Sequence, residues 1–99
     1  MVMFRIEFTP EAIEDMRLFR KTDRKRIINE IEKQLKHQPI EETRNRKRLR
    51  PNELAEWELR IDKFRVFYDI DETVEFVKIE TVGFKRGSIL YIRGKEYKL

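Results

Sequence analysis

Two arginines, Arg60 and Arg65, sit either side of Asp62-Lys63 in the string WELRIDKFRVFYD. With Asp62-Lys63 as a two-residue hairpin loop, Ile61 faces Phe64 and Arg60 faces Arg65. Asp-Lys is not the preferred Asn-Gly or Asp-Gly loop, so strand alternation rather than turn chemistry carries this register. Like charges directly opposite one another weaken a sheet, so the pair calls for an anion or for acids from elsewhere in the chain. A phosphate suits two guanidiniums on one face, and so does the charge that develops on phosphorus during transfer. A second feature is RNRKRLR, where Arg44, Arg46, Lys47, Arg48 and Arg50 put five cations into seven positions. Lys85 and Arg86 add two more after the last long apolar run. A basic patch on a nearly balanced chain reads as a docking face for a polyanion, and a solvated loop is the plain alternative.

The elements that must hold these residues follow from periodicity. Residues 2–8, VMFRIEF, alternate, with Phe4, Ile6 and Phe8 on one side: a half-buried strand. Thr9-Pro10-Glu11 then opens a helix, with a hydroxyl to cap it, a proline at its first position and an acid near the positive end of its dipole. Ala12, Ile13, Met16 and Phe19 continue at helical spacing. Lys21-Thr22-Asp23 offers a new cap, and Ile27, Ile28, Ile31 and Leu35 make a second apolar stripe that should stop near Gln38, before Pro39. Residues 39–53 lack a period and read as a loop. From Ala55 the period is two: AEWELRI, FRVFYDI and VEFVKIETV form an antiparallel meander that turns at Asp62-Lys63 and Asp71-Glu72-Thr73 and ends at Gly83. SILYIRGKEYKL reads as a small hairpin turning at Gly94-Lys95. The expected class is α+β: an N-terminal strand, an αα-hairpin, then a curved antiparallel sheet of three to five strands. Trp57, Leu59 and Ile61, with Phe64, Val66 and Tyr68 opposite, should take the helices. Arg60, Arg65 and Phe67 are left on the open face, free of the chain's own carboxylates; a salt bridge from Arg60 to Glu58 or Glu56 is the plain alternative.

Composition bounds the rest. The 99 residues fit one domain, 1–99, with no internal repeat or linker. The chain is 42% charged and 39% hydrophobic, with a net charge of +4 and a pI near 9.5. Seven Phe, three Tyr and one Trp are enough aromatics for a core. There is no cysteine, which removes disulfides, thiolate metal sites and cysteine nucleophiles. No apolar run approaches the roughly 20 residues that cross a bilayer. The start of the chain lacks a signal-peptide shape, so the expectation is a cytoplasmic protein with no membrane contact and no cofactor.

The stretch from Arg48 to Leu99 resembles the RelE/ParE toxin superfamily, and is most similar to its RelE-like branch. The resemblance rests on Leu49-Arg50-Pro51-Asn52, Trp57-Glu58-Leu59-Arg60-Ile61, Phe64 to Asp69, Val82 to Gly87 and Leu90 to Gly94. The front half matches in style. The resemblance implies a toxin of a bacterial type II toxin–antitoxin pair, partnered by a cognate acidic antitoxin in a hetero-oligomer. RelE-like members are mRNA endonucleases: on the ribosome, the 2′-hydroxyl attacks the adjacent phosphorus and a cyclic phosphate results. ParE-like relatives share the fold and poison DNA gyrase; a non-toxic member that binds only antitoxin or RNA is a third possibility. On the RelE-like reading the catalytic set is Arg60, Arg65, Arg86 and Tyr91. Arg44, Arg46, Lys47, Arg48, Arg50 and Lys85 would bind RNA, with Lys85 interchangeable with Arg86 as the cation after the third strand.

The pattern departs from that reading at the proton-transfer groups. No histidine follows Gly83. An arginine is no ordinary base, its pKa being above about 12. Glu53, Glu56 and Glu58 are the carboxylates at hand, each of which also reads as a surface acid; a lysine of lowered pKa is the other option. His37 alone makes no metal site and suits the end of the second helix. Trp57, Phe76 and Phe84 read as core. Phe67 can stack on a base or be covered by a partner.

Overall fold

The computed structural model describes residues 3–99. Strand β1 (Arg5–Phe8) leads into helices α1 (Pro10–Arg17) and α2 (Lys21–Leu35). Six strands follow: β2 (Arg46–Arg48), β3 (Trp57–Ile61), β4 (Phe64–Asp71), β5 (Phe76–Arg86), β6 (Ile89–Ile92) and β7 (Lys95–Tyr97). They form one antiparallel sheet in chain order, and β1 joins β5 in parallel, Ile6 beside Val77 and Phe8 beside Ile79. The fold is the expected α+β arrangement with a larger sheet. Among the described residues no helix is long and apolar enough to cross a membrane. Residue 2, placed in the first strand by alternation, lies outside the described residues.

Local chemistry explains the joints. Thr9 Oγ1 accepts from Ala12 N–H at 3.0 Å, while the same hydroxyl donates to Glu80 O at 2.8 Å. One threonine therefore caps α1 and ties it to β5. The cap expected at Lys21–Asp23 is not used. Arg20 precedes α2 without a side-chain cap, and Asp23 lies within the first turn, where its charge favours the dipole. The helix ends at Leu35, three residues before Gln38, and His37 is exposed.

The face expected to take the helices does so. Trp57, Leu59, Ile61, Phe64, Val66 and Tyr68 are buried with Ile27, Ile31 and Leu35 of α2 and Ala12 and Met16 of α1. Trp57 stacks on Tyr68, and Phe19 meets Phe64 edge-on at 5.0 Å. Tyr68 donates its hydroxyl to Pro39 O, so the ring carries its polar end into the core with a partner.

Three expectations are corrected. Residues 46–48 are not loop: β2 pairs with β3, Arg46 opposite Leu59 and Arg48 opposite Trp57. Charge hid this strand, because three successive cations carry no alternation. Gly83 does not end β5, which runs on to Arg86. A Cβ at Gly83 would stand 2.5 Å from Tyr91 O, so glycine is there because β6 crosses too closely for a side chain. The terminal turn falls at Arg93-Gly94, one residue early, with φ of 49° and 78°. Two positive φ values in a two-residue loop suit the twist of a hairpin.

Candidate nucleic-acid interface

Alternation and register put Arg60 directly opposite Arg65, as the sequence required. The second half of that expectation fails. The pair is not waiting unengaged, because Glu58, two residues before Arg60 and on the same face, lies against both. Arg60 Nε is 3.3 Å from Glu58 Oε2 and Arg65 Nε is 3.8 Å from Oε1. The Glu58 side chain is only 5% exposed, so reading it as a surface acid is also corrected. Period two predicts the shared face; it does not predict that Glu58 is buried there.

The two arginines are not equivalent. Arg65 is 13% exposed and donates Nη1–H to the carbonyls of Asp62 (2.6 Å) and Phe64 (2.9 Å), bracing the hairpin turn. Burial pulls its pKa below the ordinary value; Glu58 opposes that shift and neighbouring Arg60 adds to it. Its Nε has no hydrogen-bond partner among the described residues. Arg60 keeps 40% of its side chain exposed. Lys47, which pairs with Glu58 across β2 and β3, is exposed on the same side.

Phe67 is covered by neither base nor partner. It is fully buried, in a second apolar cluster with Ala55, Leu90 and Ile92, against which Leu49, Leu54 and Tyr97 pack. The covering comes from the chain itself, as segment 49–55 and the β6–β7 hairpin fold over the concave face. Asn52 holds that segment, accepting from Leu54 and Ala55 N–H and donating to Arg50 O and Ala55 O. Tyr97 donates to Glu53 at 3.0 Å and joins the two covers.

The basic run divides. Arg46 is 9% exposed; Nη1–H donates to Gln34 O at 2.8 Å and Nε–H to Glu41 O at 3.0 Å, so its guanidinium closes the end of α2 rather than facing solvent. Arg48 pairs with Glu56 at 3.3 Å. Arg44, Lys47, Arg48 and Arg50 are exposed. Arg48 and Arg50 line a cleft of about 690 Å³ under segment 48–56, with Asp69 and Glu80 also in its wall. Glu80 is the extra residue of a β-bulge, since Phe67 pairs with Thr81 while Tyr68 pairs with Ile79. Burial, then the Asp69 carboxylate beside it, pushes the Glu80 carboxyl up to about 7. Sequence reading missed this pair because a bulge cannot be seen in an uninterrupted apolar strand.

Arg86 and Tyr91 do not join Arg60. Phe64 pairs with Phe84, and Phe84 with Tyr91, so all three point to the helix side. Phe84 stacks on Tyr91 at 5.4 Å and meets Phe19. Arg86 and Tyr91 line a cavity of about 360 Å³ there, with Arg20, Lys63 and Asp15. Asp15, 1% exposed, accepts from Val82 N–H (2.9 Å) and Arg93 Nη1–H (2.6 Å). Lys85 alternates to the other face; its partner Leu90 belongs to the concave cluster. The concave side thus gathers Glu58, Arg60 and Arg65 with Lys47; Lys85 shares that face by parity but lies in a cleft with Glu96 and Tyr97, and the helix side has Arg86 and Tyr91. Of the aromatics read as core, Trp57 is buried, Phe84 half-buried against the core, and Phe76 half-buried beneath Arg5, with the guanidinium carbon 5.4 Å from the ring centre.

Comparison with known proteins agrees with this architecture. No curated protein matches the chain. Among solved structures, the RelBE2 toxin–antitoxin complex of Mycobacterium tuberculosis contains a chain that superposes with a TM-score of 0.70 at 24% identity, over 85% of this chain and 100% of that one. Residues 6–83 match the model of the ParE toxin of the type II toxin–antitoxin system parDE. With the matched span running from β1 through the whole Arg60–Arg65 hairpin to Gly83, the chain belongs to the ParE toxin family of type II toxin–antitoxin systems.

Proposed function

We propose that this toxin arrests translation as a ribosome-dependent mRNA endonuclease, acting in the cytoplasm and held silent by an acidic antitoxin. The observation that carries this reading is the Glu58–Arg60–Arg65 group on one sheet face, with exposed Lys47 beside it. Arg60 is the guanidinium with free surface. Its part is to receive the scissile phosphate and to stabilise the charge that grows as the 2′-oxygen bonds to phosphorus. Arg65, braced by two carbonyls, holds its charge beside Glu58, Nε 3.8 Å from Oε1. Glu58 is the carboxylate set to take the 2′-hydroxyl proton when the phosphate draws Arg60 away from it. The P–O5′ bond breaks, the 5′-oxygen leaves with a proton from Lys85 or water, and a 2′,3′-cyclic phosphate remains. Tyr91 and Arg86 lie on the other side of the sheet and take no part at this phosphate. Of the cations of the basic run, Lys47, Arg44, Arg48 and Arg50 hold the RNA backbone; replacing any one of them with a neutral residue should lower the log–log salt slope by roughly 0.7 to 0.9.

Mapping of RNA 5′ ends in expressing cells tests the reading. Cuts inside codons that vanish with Arg60→Ala support it, and growth arrest with intact transcripts removes it. A second reading, inhibition of gyrase by binding alone, is favoured by the ParE family match and by the separation of Arg86 and Tyr91 from Arg60. It needs no proton transfer. Loss of supercoiling by purified gyrase in the presence of the toxin, with transcripts intact, selects it.

A further inference from the structure

We infer that the helix-side cavity of about 360 Å³ is a nucleotide-binding site: its aromatic floor takes a nucleobase, and its basic border takes the attached phosphate. The site lies on the opposite side of the sheet from the Glu58–Arg60–Arg65 group, so it goes beyond the cleavage reading and does not depend on it.

Cross-strand pairing builds the floor. Phe64, Phe84 and Tyr91 stand side by side on β4, β5 and β6. Phe84 and Tyr91 are stacked, with ring centres 5.4 Å apart and planes 20° from parallel. Phe19 meets Phe64 and Phe84 edge-on. Phe64 is a piece of the core, but Tyr91 belongs to neither apolar cluster of the chain and stays half-buried. Its ring is therefore a platform rather than packing. Every base has a π-face, and stacking on an aromatic ring holds a base whatever its sequence.

The border is set by register. Arg86 follows Phe84 by two residues, so alternation keeps its side chain on the side of the floor, and it is exposed. Lys63, in the turn before Phe64, holds its ammonium 5.4 Å from the Phe64 ring centre. Arg20 enters from the link between the helices. The acids of the wall are already engaged. Asp15 accepts from Val82 N–H and from Arg93, and Asp23 lies 4.0 Å from Arg20. Glu96, across from Tyr91 on β7, is exposed and lines a different cavity. Among the described residues neither Lys63 nor Arg86 makes an ion pair. Two unpaired cations beside an aromatic floor match a phosphate joined to a base. An inorganic anion would use the border and leave the floor empty, and an apolar partner would desolvate the cations with nothing to pair them.

The test follows the full chain by NMR during titration with adenosine monophosphate, adenosine or inorganic phosphate. The monophosphate should shift the ring signals of Tyr91 and Phe84 together with Lys63 and Arg86. It should bind at least about tenfold more tightly than adenosine or phosphate, because it alone engages floor and border together. Arg86→Ser, at an exposed position, should weaken it about tenfold with the circular dichroism spectrum unchanged. Tyr91→Leu should weaken it similarly, and Tyr91→Phe should not. A short oligoadenylate, titrated into the Arg60→Ala chain so that the concave face does not compete, distinguishes the two sources of the ligand. Tighter binding at the same rings assigns the site to a nucleic-acid strand; binding no tighter than that of the monophosphate assigns it to a free nucleotide. Shifts confined to Lys47 and Arg60, equal affinity for phosphate and monophosphate, undiminished binding by Arg86→Ser, or displacement of the monophosphate by an equal concentration of an acidic peptide would each overturn the proposal. Nothing is cleaved in this assay, so a toxin that proves to act on gyrase leaves the result standing, and an empty cavity leaves the cleavage assay standing.

Discussion

The two faces of this sheet are built by different rules. On the helix side, apolar residues from three strands meet apolar stripes from two helices, and every partner can be found from period two meeting period 3.6. On the concave side, the chain seals a smaller apolar cluster with irregular segment 49–55 and the terminal hairpin, and sets a buried carboxylate between two arginines. The first face gives stability; the second keeps a buried carboxylate beside an arginine that stays 40% exposed. A sheet that spends one face on packing can hold on its other face an arrangement that would not fold by itself.

Breaking the concave side at its centre should have the largest effect. Glu58→Ala leaves the buried Arg65 charge with two carbonyls but no carboxylate, and breaking a buried ion pair on one side costs about 3–5 kcal/mol; urea unfolding should show it. Removal of Arg60 separates function from stability. Arg60→Ala should lower RNA cleavage by roughly 10²–10³, the cost of losing a group that stabilises transition-state charge. Its unfolding midpoint should stay near that of the parent, because a half-exposed ion pair is worth only about 0–1 kcal/mol. Asn52→Ala should cost about 1–3 kcal/mol, since it removes the acceptor of two backbone N–H groups in the covering segment. Faster hydrogen exchange across 49–55, with no change in α2, would mark the loss as confined to the concave side.

The smallest effect is a pH dependence. Glu80 has its folded pKa raised to about 7 from an ordinary 4.5, by burial first and then by Asp69. The folded state thus holds more protons than the unfolded state between those values, and stability falls as pH rises through that window. Glu80→Gln should flatten the slope of the urea midpoint between pH 4.5 and 7. An unchanged slope would mean that the bulge does not bring the two carboxyls together.

How much could be read in advance follows the same division. The register Arg60–Arg65 was legible because five alternating residues precede a two-residue loop and five follow it. Thr9-Pro10-Glu11 was legible as a helix start because capping is local chemistry. Strand β2 was not, since its residues are all cations and its pairing depends on β3, about ten residues later. The role of Glu58 was half legible: alternation gives its face, while its burial beside Arg60 and Arg65 depends on the tertiary fold. Arg46 shows the limit most clearly. It sits in the most cationic stretch of the chain, yet its guanidinium satisfies one carbonyl at the end of α2 and one in the loop beyond it, a three-dimensional coincidence that no local pattern encodes. Arg86 and Tyr91 were separated from Arg60 by a single step of strand parity after Gly83.

Gly83 carries one more consequence. Its α-carbon hydrogen is what allows the carboxy-terminal ribbon to lie flush on β5, and the nearest atom to any added methyl is a backbone oxygen that has nowhere to retreat. Saturation of this codon in a selection for folded protein should return glycine alone. Alanine there would act as a wedge under the last dozen residues, admitting water to the ring of Phe67 while leaving the helical half of the molecule untouched.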